Sequence, residues 1–301
     1  MLNKFSEYYE KNIKPYEKEY NTRIKNALKN DKLREKNCNY AIWSFAIFSF
    51  LATVFLVSCG IYNSFIHFLV VLIIDFAVII RFILNSLGES VANVRDEIKN
   101  KIIIPLIENF CSSEYTDSLN KTTVFKSGFW QDIYYWDTGD TIVIDEDFLI
   151  SEVKIYLKNN NIPYVGAIVD YKIDNYLYGD IELKMIDKLS GAKMENKELE
   201  KVKLENVEFK KFFDVYASKQ IAARMVMTVY FMERMVELKK RLNRNINVNV
   251  IDGRIYLIID NFFIIDEERI IKNGLSEGEL YYNIKNIEQT ITLIKNIFNS
   301  I

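Results

Sequence analysis

Two long apolar runs dominate the pattern of this chain: Ala41–Cys59 and, roughly, Ile61–Leu87. Only Gly60 and a few polar residues (Tyr62, Asn63, Ser64) separate them. A helix of about 20 apolar residues crosses a bilayer core of about 30 Å, so the pattern predicts a transmembrane helical hairpin over 41–87. Residues 1–40 are charged. Tyr16, Tyr20, Ile24 and Leu28 recur there at i+4, and Pro15 interrupts the helical pattern. This segment reads as a basic helical tail lying on its own domain, the alternative being a partner-binding or membrane-surface helix. Glu89–Asn109 predicts a helix with Val91, Val94, Ile98 and Ile102 on its apolar side, which Pro105 kinks or restarts. Residues 88–123 thus form a helical linker.

From Val124 the period shortens. Stretches such as DIYYW, TIVIDEDFLISEVKIYL and YVGAIVDYKI read as strands, with turns at Thr138-Gly139-Asp140 and Asn159-Asn160-Asn161. Phe212–Tyr216 reads as another strand. Ser218 is a candidate N-cap for one long helix, Gln220–Leu242, with Ile221, Met225, Val229, Met232, Met235 and Leu238 as its buried stripe. Asp252-Gly253 between INVNV and RIYLII marks a hairpin. A closing helix, Glu277–Phe298, carries Tyr281, Ile284, Ile287, Ile291, Ile294 and Ile297 on one face. The fold class expected is α+β: a two-helix transmembrane hairpin, then a cytoplasmic domain (124–301) with a mainly antiparallel sheet and packed helices.

Charge sets the expected orientation. The tail holds ten Lys or Arg, the turn between the runs holds none, and Arg95, Lys99 and Lys101 follow the second run. Basic residues near spans stay cytoplasmic, so a multi-pass protein of a bacterial inner membrane is expected, with both termini cytoplasmic and the lipid bilayer as a partner. The net charge of −2 gives no basic excess and argues against nucleic acid. Cys38, Cys59 and Cys111 are odd in number and far apart, which suits a reducing compartment.

Chemistry is sparse. Asp75 lies near the middle of the second run, where a carboxylate costs on the order of 3 kcal/mol. Ser44 to Ser49 fall at a similar depth on the first run and offer hydroxyls to it. Arg81 and His67 flank Asp75 toward either end. A helix-packing contact, a proton or ion path, and a tolerated polar residue are the three readings of Asp75. His67 is the only histidine, so the rest of the chain has no His-based triad and no HExxH. Asp137-Thr138-Gly139 matches the aspartic-protease tripeptide but reads as a turn. Asp145-Glu146-Asp147 lacks the spacing of a calcium loop and reads as the exposed link between two strands. The ten glycines form no phosphate loop, and no cofactor is expected. On the long helix, Arg224 and Thr228 share a face at i, i+4, and Glu233-Arg234 follow; they read as a structural network if buried and as a docking patch if exposed.

The segment FKKFFDVYASKQIAARMVMTVYFMERMVEL (209–238) resembles the DUF3137 family of uncharacterised bacterial membrane proteins. The matching positions are Phe209, Phe213, Val215, Tyr216, Ser218, Gln220, Ala223, Arg224, Thr228, Met232, Glu233 and Arg234. The hairpin Val250–Leu257, the Gly139-Asp140 to Ser151-Glu152-Val153 region and Tyr164–Ile168 also fit. Lys219 stands where the family has Asp, and Val229 where it has Pro; losing that Pro is expected to regularise the helix. The resemblance implies no catalytic role. The function expected is a membrane-anchored cytoplasmic binding or scaffolding module with a protein partner or a second copy of itself. The alternatives are a hydrolase using only the carboxylates of Asp137, Asp140 and Glu152, or a small transport accessory using Asp75.

Overall fold

The structure is a computed structural model that describes residues 2–58, 73, 76–77, 89–116, 119, 121–130, 132–158, 162–173, 181–190 and 198–298. The chain divides into two compact units. One comprises Ile104–Asp266 and Leu280–Ile301; the other comprises Leu2–Ile103 and Glu267–Glu279.

The first unit is built on a sheet. Among the described residues nine strands join it: β1 Glu114–Thr116, β2 Ile133–Asp145, β3 Phe148–Leu157, β4 Tyr164–Lys172, β5 Leu183–Asp187, β6 Glu200–Lys201, β7 Phe213–Ala217, β8 Ile246–Ile251 and β9 Arg254–Asp260. Their order is β1-β2-β3-β4-β9-β8-β5-β7-β6, with every neighbouring pair antiparallel. The β8–β9 hairpin therefore occupies the centre. Its turn places Asp252 at φ 50° and Gly253 at φ 70°, the left-handed pair that a two-residue type I′ turn requires. Central position explains why Asn247 and Asn249, polar in an alternating strand, are both buried. Each finds a partner, as buried amides must: Asn249 Nδ2 donates to the Ser127 carbonyl at 2.8 Å, and Asn247 Oδ1 accepts from the Asp187 N–H at 2.8 Å.

One sheet face carries Val153, Ile155, Ile168, Tyr256 and Ile258. Leu119 and Val124 pack with them, the latter on a short helix, Lys121–Lys126. The other face carries Phe148, Met185, Val215 and Leu257. Phe298 of the closing helix stacks on Tyr171 with ring centroids 4.9 Å apart and meets Phe148 edge-on.

Thr138-Gly139-Asp140 is not a turn. β2 runs through it, and the register against β3 slips between Thr138 and Thr141. A β-bulge absorbs the extra residue without reversing the chain. The reversal comes at Asp145-Glu146-Asp147, where the Asp145 side chain accepts the Asp147 N–H at 3.1 Å. Asn159–Asn161 lie outside the described residues.

The long helix expected over 220–242 is two helices, α1 (Gln220–Val226) and α2 (Val229–Leu242). Met227 ends the one and Thr228 caps the other: Thr228 has φ −60° and ψ 159°, and its hydroxyl accepts the Phe231 N–H at 3.1 Å. Val229 is then the first helical residue, the position where proline is favoured because its missing N–H is not needed. Replacing that Pro leaves the break in place, since the cap sits one residue earlier. The break also rotates the buried stripe. Met232, Met235 and Leu238 are buried as expected, but Ile221, Met225 and Val229 are exposed, and Ala223, Val226 and Phe231 take their place. Ser218 does not cap α1; Lys219 occupies the cap position without a side-chain bond, and Ser218 Oγ accepts the Glu182 N–H.

In the second unit, helix α3 spans Leu2–Asn12 and α4 spans Lys14–Ser58, with Pro15 in the first turn of α4. Ile13, Tyr20, Ile24 and Ala27 form the buried side, while Tyr16 and Leu28 are exposed. Helix α5 (Val91–Ile98) leads into a π-turn at Lys99–Ile103, and a helix restarts at Ile104. Asn21 clamps the 274–276 loop through two bonds, accepting from Leu275 N at 2.7 Å and donating to its carbonyl at 2.8 Å.

The transmembrane hairpin is corrected. Among the described residues no helix is long and apolar enough to cross a membrane. Within the described residues the helix that holds the first run, α4 (Lys14–Ser58), is charged as far as Lys36. The second run lies outside the described residues except for Ile73, Phe76 and Ala77; Phe76 stacks on Phe45 with centroids 4.1 Å apart. The inner-membrane placement with both termini cytoplasmic rested on that hairpin and falls with it.

Candidate functional site

Two features of the sheet unit concentrate polar chemistry and exposed surface. The first is buried. Lys239 of α2 reaches Asp187 at the end of β5, Nζ to Oδ2 2.5 Å, with side-chain exposures of 7% and 0%. Every other group of the pair is engaged. Lys239 Nζ donates to the Arg244 carbonyl at 2.9 Å and lies 3.5 Å from Asn245 Oδ1. Asp187 accepts from Ile246 N at 3.0 Å and Leu189 N at 2.9 Å. Asn245 continues the chain of bonds to Asp260 at 3.1 Å. Burial pushes the Asp260 carboxyl above the usual range, with Asp187 adding to the rise and the Asn245 bond opposing it. Tyr164 lies beside it, its ionisation raised well above the ordinary value, first by burial and then by Asp260. A Cβ on Gly166 would fall 2.2 Å from the Ile259 carbonyl oxygen and 2.6 Å from the Tyr164 hydroxyl, so only glycine lets the strands and this ring close.

The second feature faces outward. α1 and the first turns of α2 expose Ile221 (79%), Met225 (44%), Val229 (64%) and Tyr230 (43%). Arg224 and Glu233 are exposed on the same two helices. The Arg234 guanidinium lies over the Tyr230 ring at 4.8 Å and bonds Glu237 at 2.5 Å. Because the helix breaks at Thr228, Arg224 and Thr228 do not act as an i, i+4 pair.

The remaining positions singled out from the sequence are dispersed. Phe213 is buried in β7, opposite Asp187, and packs on Phe209 with centroids 5.0 Å apart. Tyr216 pairs with Lys184. Gln220 donates to the Lys201 carbonyl at 3.2 Å. Asp137 is exposed and holds its neighbour's N–H; Asp140 is buried and accepts from the Tyr115 hydroxyl at 2.6 Å; Glu152 accepts from Ile264 N at 2.6 Å. Each of these carboxylates is thus engaged by a different partner. Burial pushes the Cys111 thiol up to about 12, and Glu288 adds to the effect, which suits packing rather than nucleophilic attack. Ser44 is exposed on α4 and Ser49 lies on the same helix. Asp75, His67 and Arg81 lie outside the described residues. Among the described residues no group of three or more His, Cys, Asp or Glu is placed to hold a metal ion.

Sequence reasoning missed the Asp187–Lys239 network. One signal was present: Lys239 follows Met232 and Met235 at seven and four residues, on their face of the helix. That spacing marks the position as buried but cannot reveal its partner 52 residues away.

Residues 139–298 match the family model described as Protein of unknown function (DUF3137). The chain belongs to the DUF3137 family. The match takes in both features above, from the β2 bulge to the end of the closing helix. Neither the curated proteins nor the solved structures contain a match to this chain. For this DUF3137 protein the motif positions divide by burial: Phe209, Phe213, Val215, Ala223 and Met232 are core, while Arg224 and Glu233 are surface.

Proposed function

We propose that this chain is a binding or scaffolding module, and that the α1–α2 face of its sheet unit docks a partner protein. The carrying observation is the exposure of Ile221, Met225, Val229 and Tyr230 on two consecutive helices that otherwise bury their apolar residues. An aromatic and a methionine amid exposed arginine and glutamate have the composition of an interface centre with a polar rim. Helix α2 is anchored on its inner side by the buried pair of Lys239 with Asp187, which holds its outward face in place.

The test is crosslinking of the intact protein in its native cells, followed by mass spectrometry. A recurrent partner should disappear with Ile221→Asp or Val229→Asp. Thermal melting should be unchanged, because both side chains are exposed. Retention of that partner by both variants, or the absence of any recurrent partner, would overturn the assignment; self-crosslinks lost in the variants would replace the partner by a second copy.

A further inference from the structure

The N-terminal unit presents a second surface, independent of the first. On α4, Lys18, Lys25, Lys29, Lys32 and Lys36 are all exposed. Their spacings of seven, four, three and four residues bring them within roughly 60° of arc about the helix axis, over a length of about 27 Å. The buried residues Ile13, Tyr20, Ile24 and Ala27 lie on the opposite side. The helix therefore points its apolar side into its own unit and a row of ammonium groups outward. Among the described residues Lys18, Lys25, Lys29 and Lys32 make no ion pair, whereas Glu10 neutralises Lys14 and Asp31 pairs with Arg34 off the row. Leu28 and Leu33 flank the row, 36% and 38% exposed, and line a shallow groove with Lys25, Lys29, Lys32 and Lys36.

We infer that this row is a docking surface for an acidic amphipathic helix of a partner protein. A row repeating at three, four and seven residues matches carboxylates repeating with the same period on a second helix laid alongside. Three observations select this occupant. The flanking leucines gain contact with the apolar edge of a protein helix but gain nothing from a hydrated phosphate backbone. The row is all lysine, without the arginine, asparagine or glutamine that reads base edges. Between Lys18 and Lys36 the apolar side of the helix is buried, so the row has no broad apolar face beside it to lay into a lipid surface; the run of exposed apolar residues on α4 begins only past its end, at Tyr40.

The experiment titrates the full-length chain with a labelled synthetic Glu/Leu amphipathic helical peptide and follows anisotropy at low and high salt. Lys25→Glu, Lys29→Glu and Lys32→Glu together should weaken binding about tenfold or more, and salt should weaken the wild-type complex. Leu28→Ser with Leu33→Ser should weaken it about threefold at unchanged charge. If the reversal unfolds the helix, glutamine at the same three lysines should give the same direction of loss. A short DNA duplex or phosphatidylserine vesicles showing the larger lysine-dependent loss would overturn the inference. So would a serine pair that leaves peptide affinity unchanged, or a wild-type chain that does not bind the peptide. Ile221→Asp should not alter this affinity, which keeps the two surfaces distinguishable.

Discussion

The Asp187–Lys239 pair and the Arg23 cluster are made of the same kinds of groups in different surroundings. In the sheet unit the two charges are closed off from water and every polar atom is matched by a backbone or amide partner. In the N-terminal unit Arg23 binds Glu89 at 2.5 Å and also Glu97, with Lys101 and the buried Tyr20 adding bonds to Glu97 at 2.7 and 3.1 Å, and the four charged groups keep contact with solvent. Low dielectric makes the first pair costly to break and costly to have formed. Solvent makes the second adjustable and weak. The difference teaches that a charge pair anchors a fold only where its desolvation is answered by hydrogen bonds from fixed elements.

The largest test of this contrast is Lys239→Met. It leaves the Asp187 carboxylate buried without its cation and should cost about 3–5 kcal/mol in denaturant unfolding. Arg23→Met should cost about 1 kcal/mol or less; equal losses would break the comparison. Gly166→Ala asks whether the region around the buried network is sterically as unforgiving. A Cβ there meets a backbone oxygen rather than a flexible side chain, and a loss of about 1–3 kcal/mol is expected.

A neutral bond in the same unit provides a scale. Thr228→Ala removes the cap of α2 and should cost about 1 kcal/mol. Val229→Pro should stay within about 0.5 kcal/mol of wild type in thermal melting, because Thr228 already has the extended ψ that a following proline demands. A cost near 3 kcal/mol would show that the break at Thr228 does not persist in solution.

The smallest effect is in the pH profile of the N-terminal unit. The Arg23 bond, and then Lys101, hold the Glu97 carboxyl down at about 2 from an ordinary 4.5. A depressed acid stabilises the folded state fully above its unfolded value and loses that contribution as pH falls from about 4.5 toward 2. Glu97→Gln should therefore flatten that part of the acid limb and leave the neutral range with only the lost bonds. An acid limb identical in wild type and Glu97→Gln would place the sensitivity elsewhere.

Local pattern made much of the sheet unit legible. Asp252-Gly253 named its hairpin, the apolar repeat from Ile284 to Ile297 named its closing helix, and the acidic triplet 145–147 named the link between two strands. These depend on residues a few positions apart, where backbone sterics and side-chain period decide. Reading failed where a feature depended on what lay opposite. Thr138-Gly139-Asp140 has turn composition, yet pairing with β3 at Thr138 and with β3 and β1 from Thr141 onward carries the strand through it. Ile221, Met225 and Val229 have core composition, yet the cap at Thr228 turns them outward. The apolar run from Ala41 led to a span that the described helices do not provide.

By itself, then, the sequence determined membership of the DUF3137 family, the α+β class and the Asp252-Gly253 hairpin, since each follows from residue identity and short-range spacing. The tertiary structure alone decided the strand order, the burial of Asn247 and Asn249, the pairing of Asp187 with Lys239 and the exposure of the α1–α2 face. Those depend on contacts between residues far apart in the chain, whose energies are set by burial and by which partner arrives.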